Sequence, residues 1–237
     1  MTDAALPEPP APPQRRPRAS RQRGLGRTEI VDAAVRVLDA DGLDAVTFRR
    51  VAHELGVGAA SLYAYVDSKD VLVELILDRV MGEIDLSDLP DERPWQEQTK
   101  ELIRRARTTF AAHGDIARAT LGRIPAGANA LAVIEVTLGI LERSGLSDQV
   151  VAYAADLIGL VVGAASYEDS LHAQSGIGFE EFMRYIAEFR RYLESLPPER
   201  FPRIVELAGP LTRISPDEDE RFEFMLDVIV DGLAAQH

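Results

Sequence analysis

The chain has 237 residues, 46% hydrophobic and 6% aromatic, with a formal net charge of −13 and no cysteine. That length and apolar fraction suffice for a buried core in one or two domains, while the lack of cysteine excludes disulfides, thiolate catalysis and Cys-ligated zinc. The charge is uneven: residues 1–70 hold 10 Lys/Arg and 10 Asp/Glu, net 0, so residues 71–237 hold the other 16 and 29, net −13. An acidic C-terminal part repels a polyanion and orients the N-terminal end toward it, although solubility alone also accounts for such acidity. Abundant Ala, Leu, Val, Glu and Arg favour an all-α fold.

Residues 1–23 are Pro-rich and lack apolar periodicity, as expected of a disordered tail. Arg15, Arg16, Arg18, Arg21 and Arg23 make that tail basic, suited to lying along phosphates or simply to solubility. No apolar leader opens the chain, and the longest nearly apolar run, 157–166, is too short to cross a bilayer. A cytoplasmic protein with no membrane partner is expected.

A first helix is predicted from about Arg27 to Ala40, with Ile30, Ala33, Ala34, Val37 and Leu38 on one stripe and Gly42 ending it. The stretch VTFRRVAHELGVGAASLYAYVDSK, Val46 to Lys69, reads as two short helices joined by a glycine turn. Thr47 is a good N-cap, Phe48, Val51, Ala52 and Leu55 share one face, and Gly56 supplies the positive-φ residue of the turn. The second of these helices begins near Gly58 and buries Leu62 and Val66, leaving small side chains outward. That is the pattern of a helix-turn-helix, in which a close-fitting helix enters the major groove of double-stranded DNA. A further helix follows an Asp67 or Ser68 cap, turns Leu72, Leu75, Ile76 and Val80 inward, and continues to about Ile84.

A linker is expected at Ser87–Pro94, followed by helices at about Trp95–His113, Ile116–Leu121, Asn129–Ser144 and Ser147–Ala173. Further helices are expected at Phe179–Leu196, Phe201–Ala208 and Asp217–Ala235. The Ser147 helix is apolar on nearly every side from Leu157 to Ala165, and the last helix carries a wide apolar stripe, so a partner subunit is the natural cover.

Several elements match one family in order: TEIVDAAVRVLDADG, V-T-F-R-R-V-A, L-G-V, S-L-Y-A-Y-V and S-K-D-V-L. Over Arg27 to about Ile84 the chain resembles the DNA-binding domain of the tetracycline-repressor (TetR) family. Pro94-Trp95 and ELIRRAR are similar to its tetracycline-type C-terminal branch. The resemblance implies a three-helix DNA-binding domain (24–70), a connecting helix (71–86) and a helical ligand-binding and dimerisation domain (87–237). It further implies a homodimer joined by a four-helix bundle, a palindromic operator, and repression relieved by a small-molecule effector of unknown identity.

Arg49 has the planar fork to take guanine O6 and N7 together, and the matching family position supports it as a base contact. Because adjacent helical residues point about 100° apart, at most one of Arg49 and Arg50 faces the groove squarely. Tyr63 is expected to reach a base or phosphate and Ala59 and Ala60 to pack on thymine methyls, while Thr47, Ser61, Tyr65 and Lys69 bond phosphates. Tyr63 and Tyr65 also read as core aromatics, and Thr47 as a helix cap only. For the effector, the candidates are Phe110, His113, Thr120, Arg123, Thr137, Leu141, Tyr167, Glu168 and His172, with ordinary packing the competing reading for each. Tetracycline-binding members place a magnesium-holding histidine before a Leu-Gly; here Thr120 precedes Leu121-Gly122, which speaks against a magnesium–drug chelate.

No catalytic residue, metal site or cofactor is assigned: only four histidines occur, with no H-E-x-x-H, phosphate loop or G-x-S-x-G. A constitutive DNA-binding dimer without a ligand is the rival reading, and a small helical enzyme a more distant one.

Overall fold

The computed structural model describes residues 25–174, 176–214 and 220–236, which contain helices and no strand. The Pro-rich tail, the first residues of the expected Asp217 helix and His237 lie outside the described residues.

Helix α1 (Arg27–Asp41) buries Ile30, Ala33, Ala34, Val37 and Leu38. It packs on α2 (Phe48–Leu55) and α3 (Lys69–Met81). The chain leaves α1 at Gly42, φ 81°, and makes a short 3-10 turn, Leu43–Ala45, that the periodicity did not announce. Thr47 is extended and its Oγ1 accepts a hydrogen bond from the Arg50 N–H at 3.2 Å, so it caps α2 as expected. Gly56 ends α2 in the left-handed region, φ 67° and ψ 30°.

The second helix of the pair differs from expectation. Ala59–Ala64 is a 3-10 helix, in which Ser61 N–H donates to the Gly58 carbonyl and Tyr65 N–H to the Leu62 carbonyl, each at 2.9 Å. Only six residues lie between the extended Gly58 and the turn before α3, a length at which the tighter i to i+3 pattern is common. Leu62 and Val66 are still buried. Ser68, not Asp67, caps α3, its Oγ accepting from Val71 N–H. That helix stops at Met81, short of Ile84, where Gly82 weakens helix propensity; Ile84 is nevertheless buried just beyond.

Helix α3 is shared. It packs on α1 on one side and on α4 (Trp95–Ala111), α5 (Ala128–Glu142) and the 3-10 segment Ile116–Thr120 on the other. The long α6 (Asp148–Gln174) lies against α4, α5 and that segment. Helix α4 ends before His113 because Gly114 takes φ 50°, and a Cβ there would fall 2.8 Å from the Leu38 carbonyl oxygen. Beyond α6 come α7 (Phe179–Glu194), α8 (Pro202–Glu206), α9 (Ala208–Leu211) and α10 (Glu220–Ala234). The expected single helix at 201–208 is thus two short ones. Helix α10 returns to α4, with Arg104 bridging Glu223 and Arg107 lying 4.1 Å over the Phe222 ring.

Candidate nucleic-acid interface and effector cavity

The reader is a small rigid surface. Ala52, only 2% exposed, leaves room for the segment after the turn to cross α2, and Val57 N–H donates to the Ala52 carbonyl at 3.0 Å, fixing that crossing. The Tyr63 ring stacks flat on Phe48, centroids 4.4 Å apart and planes 3° apart, with 57% of Tyr63 exposed. One face of the ring is therefore packing, as the core-aromatic reading expects, and the other is offered to solvent. Phe48 was expected only as a core-facing residue; the stack it forms could have been suspected from its place at N1 of α2 opposite an aromatic.

Arg50 is committed locally, its Nε donating to Asp41 at 2.9 Å and Nη1 to Glu54 at 3.0 Å. Arg49 is exposed and makes no ion pair or side-chain hydrogen bond among the described residues. Ala60, Ser61, Tyr65 and Lys69 are exposed and Ala59 half-buried, and the Tyr65 carbonyl accepts from Arg27 Nε at 3.3 Å. Thr47 Oγ1 is engaged as the cap while the residue stays exposed.

Between α3, α4, α5 and α6 lies a cavity of about 590 Å³. Its walls are largely hydrocarbon, with Leu77 and Met81 of α3 facing Phe110 of α4 and Ile158 of α6. Of the sequence candidates, Phe110, Thr120, Arg123 and Thr137 line it. The hydroxyl hydrogens of Thr120 and Thr137 are held by the carbonyls of Ala117 and Val133, each at 2.7 Å, which leaves their oxygens to accept.

The other five candidates lie elsewhere. Leu141 is fully buried in the core, Tyr167 is half-buried, Glu168 pairs with Arg221, and His172 packs edge-on against Phe182. The last three fall beyond Gly163, where α6 meets the 120s loop so closely that a Cβ would sit 2.4 Å from Thr120 Oγ1. That contact closes the cavity before α6 reaches them.

His113 belongs to a clasp between the reader and the rest. Its Nδ1 is 3.0 Å from Asp39 of α1 and its Nε2 2.9 Å from Glu83 beyond α3. Buried Asp115 accepts from Leu43 N–H at 2.6 Å, and Arg118 donates to Asp44 at 2.6 Å. Burial works against a charged imidazole, yet hydrogen bonds to Glu83 and Asp39 and their charges outweigh it and hold the His113 pKa above its ordinary value. The same hydrogen bond keeps the Glu83 carboxyl below the usual range.

A helix-turn-helix mounted on a helical body that holds a largely apolar cavity defines a DNA-binding regulator of transcription. Residues 30–76 match the family described as bacterial regulatory proteins, tetR family, and residues 89–237 match the tetracyclin repressor-like C-terminal domain. The chain belongs to the TetR family, and it is a transcriptional regulator, not an enzyme. It is 33% identical to the HTH-type transcriptional repressor DrrR1 of Streptomyces coeruleorubidus over 92% of this chain and 81% of that one. The Streptomyces coelicolor protein ActR in complex with actinorhodin is similar at 41% identity, TM-score 0.80, over 90% of this chain and 97% of that one. Apo ActR is similar at 40% identity, TM-score 0.78, over 90% and 96%. The resemblance in both halves of the sequence is thereby borne out.

Helix α6 is long and apolar enough, by length and composition alone, to cross a membrane. Its packing against α4 and α5 and the family assignment account for it as a core helix, so it does not indicate a membrane span.

Proposed function

We propose that the protein is a homodimeric repressor that binds an inverted-repeat operator and is released by a small molecule held in the cavity. The observation carrying this reading is that α3 serves both ends: Lys69 opens it beside the reader, and Leu77 and Met81 near its other end line the cavity. A ligand that favours one position of α3 changes the affinity for DNA by linkage.

Dimerisation is supported by two exposed apolar stripes, Tyr153, Leu157 and Leu160 on α6 and Phe224 and Val228 on α10. Covering both with a second copy across a two-fold axis removes that surface from water. Within the reader, Arg49 takes a base edge, Tyr63 a base or phosphate, and Ala59 and Ala60 thymine methyls, with Thr47, Ser61, Tyr65 and Lys69 on phosphates. The likeness to ActR, whose structures hold actinorhodin or (S)-DNPA, supports a small organic effector.

The test is a gel shift with footprinting on the DNA upstream of the protein's own coding sequence, at stated salt and against random duplex. A protected inverted repeat with half-site centres about 34–36 Å or somewhat more apart is expected. Added actinorhodin serves as the first trial effector. Equal affinity for random duplex would remove the operator-binding reading.

A further inference from the structure

Arg123 is the one basic side chain among the described residues that line the cavity, and it is tied to α3. Its Nη2 donates to Asp70 at 3.0 Å and its Nη1 reaches Glu74 at 3.4 Å. These two carboxylates stand one turn apart on the same face of α3, next to Lys69. Their side chains are 81% and 62% exposed, against 30% for Arg123, so water and salt screen the tie. An anion inside the cavity would meet the same guanidinium among walls made mostly of hydrocarbon, where attraction between charges is stronger. Asp156, the acidic residue on the lining, is exposed, and its charge is correspondingly hydrated.

We propose that Arg123 recognises an anionic group, such as a carboxylate, on an otherwise apolar effector, and that it signals by exchanging Asp70 and Glu74 for that group. The inference rests on the effector-release reading and names both the ligand class and the first step of release. Once Arg123 turns to the ligand, two carboxylates beside Lys69 lose their counter-charge at the DNA-facing end of α3. The added negative charge opposes the phosphate backbone and lowers DNA affinity. By reciprocity, whatever weakens the tie to α3 strengthens the hold on the anion.

A matched pair of fluorescent probes tests this on the full chain: 8-anilino-1-naphthalenesulfonate, and N-phenyl-1-naphthylamine, which has the same rings without the sulfonate. Arg123→Gln should weaken sulfonate binding about tenfold or more, the size of one lost charge-assisted contact, and leave the neutral probe unchanged. The double variant Asp70→Asn, Glu74→Gln, which leaves the cavity intact, should bind the sulfonate more tightly than wild type. Equal sulfonate affinity in wild type and Arg123→Gln, or no gain in the double variant, overturns the proposal. Operator gel shifts separate the two readings. A wild-type complex that neither probe nor trial effector dissociates counts against effector release itself. Release from Arg123→Gln by both probes alike leaves effector release standing and removes only the role of Arg123.

Discussion

Arg50 is held by Asp41 and Glu54 while Arg49 is exposed, which is why Arg49 is the arginine of α2 proposed to read a base. Arg49→Ala should cost about 1–3 kcal/mol on the operator and relax preference at one base position. Lys69→Ala should weaken all duplexes alike. Competition gel shifts with single-base operator variants check both, and equal losses for Arg49→Ala on operator and random DNA would remove its base-reading role. His113 gives a prediction in pH. Its pKa is raised on folding, so its contribution to stability is fully present below the unfolded value, about 6.5, and is lost as pH rises through the folded value. Arg79 also pairs with Glu83 and with Asp32. The melting-temperature difference between wild type and His113→Gln should therefore be largest at acidic pH, above the range where Glu83 protonates, and shrink from about pH 6.5 upward. A difference flat with pH would assign His113 a packing role only. Thr47, Leu62 and Val66 were legible because capping and periodicity act within a few residues. The clasp was not, since His113 meets Asp39 across 74 positions and Glu83 across 30.

At the scale of elements, helix existence followed from apolar spacing, while helix ends and types followed from features that spacing does not carry. The reader's second helix tightened to 3-10 form because it is short, and the connecting helix stopped at a glycine. Gly114 shows what such a position is worth. With φ 50° and the Leu38 carbonyl 2.8 Å from any added Cβ, Gly114→Ala meets both strain and a backbone atom that has little room to move. It should destabilise the protein by about 1–3 kcal/mol, measured by denaturant unfolding. A loss of only a few tenths would mean that the turn before the clasp adapts freely. The cavity was half legible: Phe110, Thr120, Arg123 and Thr137 line it, but its closure at Gly163 depends on two segments more than forty positions apart touching backbone to side chain. No period in either segment encodes that contact.

For the whole molecule, the acidity of the body and the apolar character of α6 could be read from sequence, because they are properties of composition and of a single helix. The stripe expected to need a partner on the last helix, Phe222, Met225, Leu226, Ile229, Val230 and Leu233, is instead buried or half-buried within the chain, and Phe224 and Val228 are exposed. Which surfaces remain uncovered could be read only after the helices were packed. Leu157→Glu with Val228→Glu, both at exposed positions, should convert a dimer to a monomer in analytical ultracentrifugation without loss of helix content. Operator affinity should fall in step, since a lone reader engages one half-site. Monomeric wild type, or an unchanged sedimentation coefficient in the variant, would rule out this interface. The clasp has a mechanical consequence as well. The reader is joined to the body by α3 as a covalent strut and by the 113–118 segment as a second, non-covalent anchor. A rigid piece fixed along a line keeps one easy freedom, rotation about that line. Occupancy of the cavity should therefore alter the pitch and separation of two intact readers rather than melt either one.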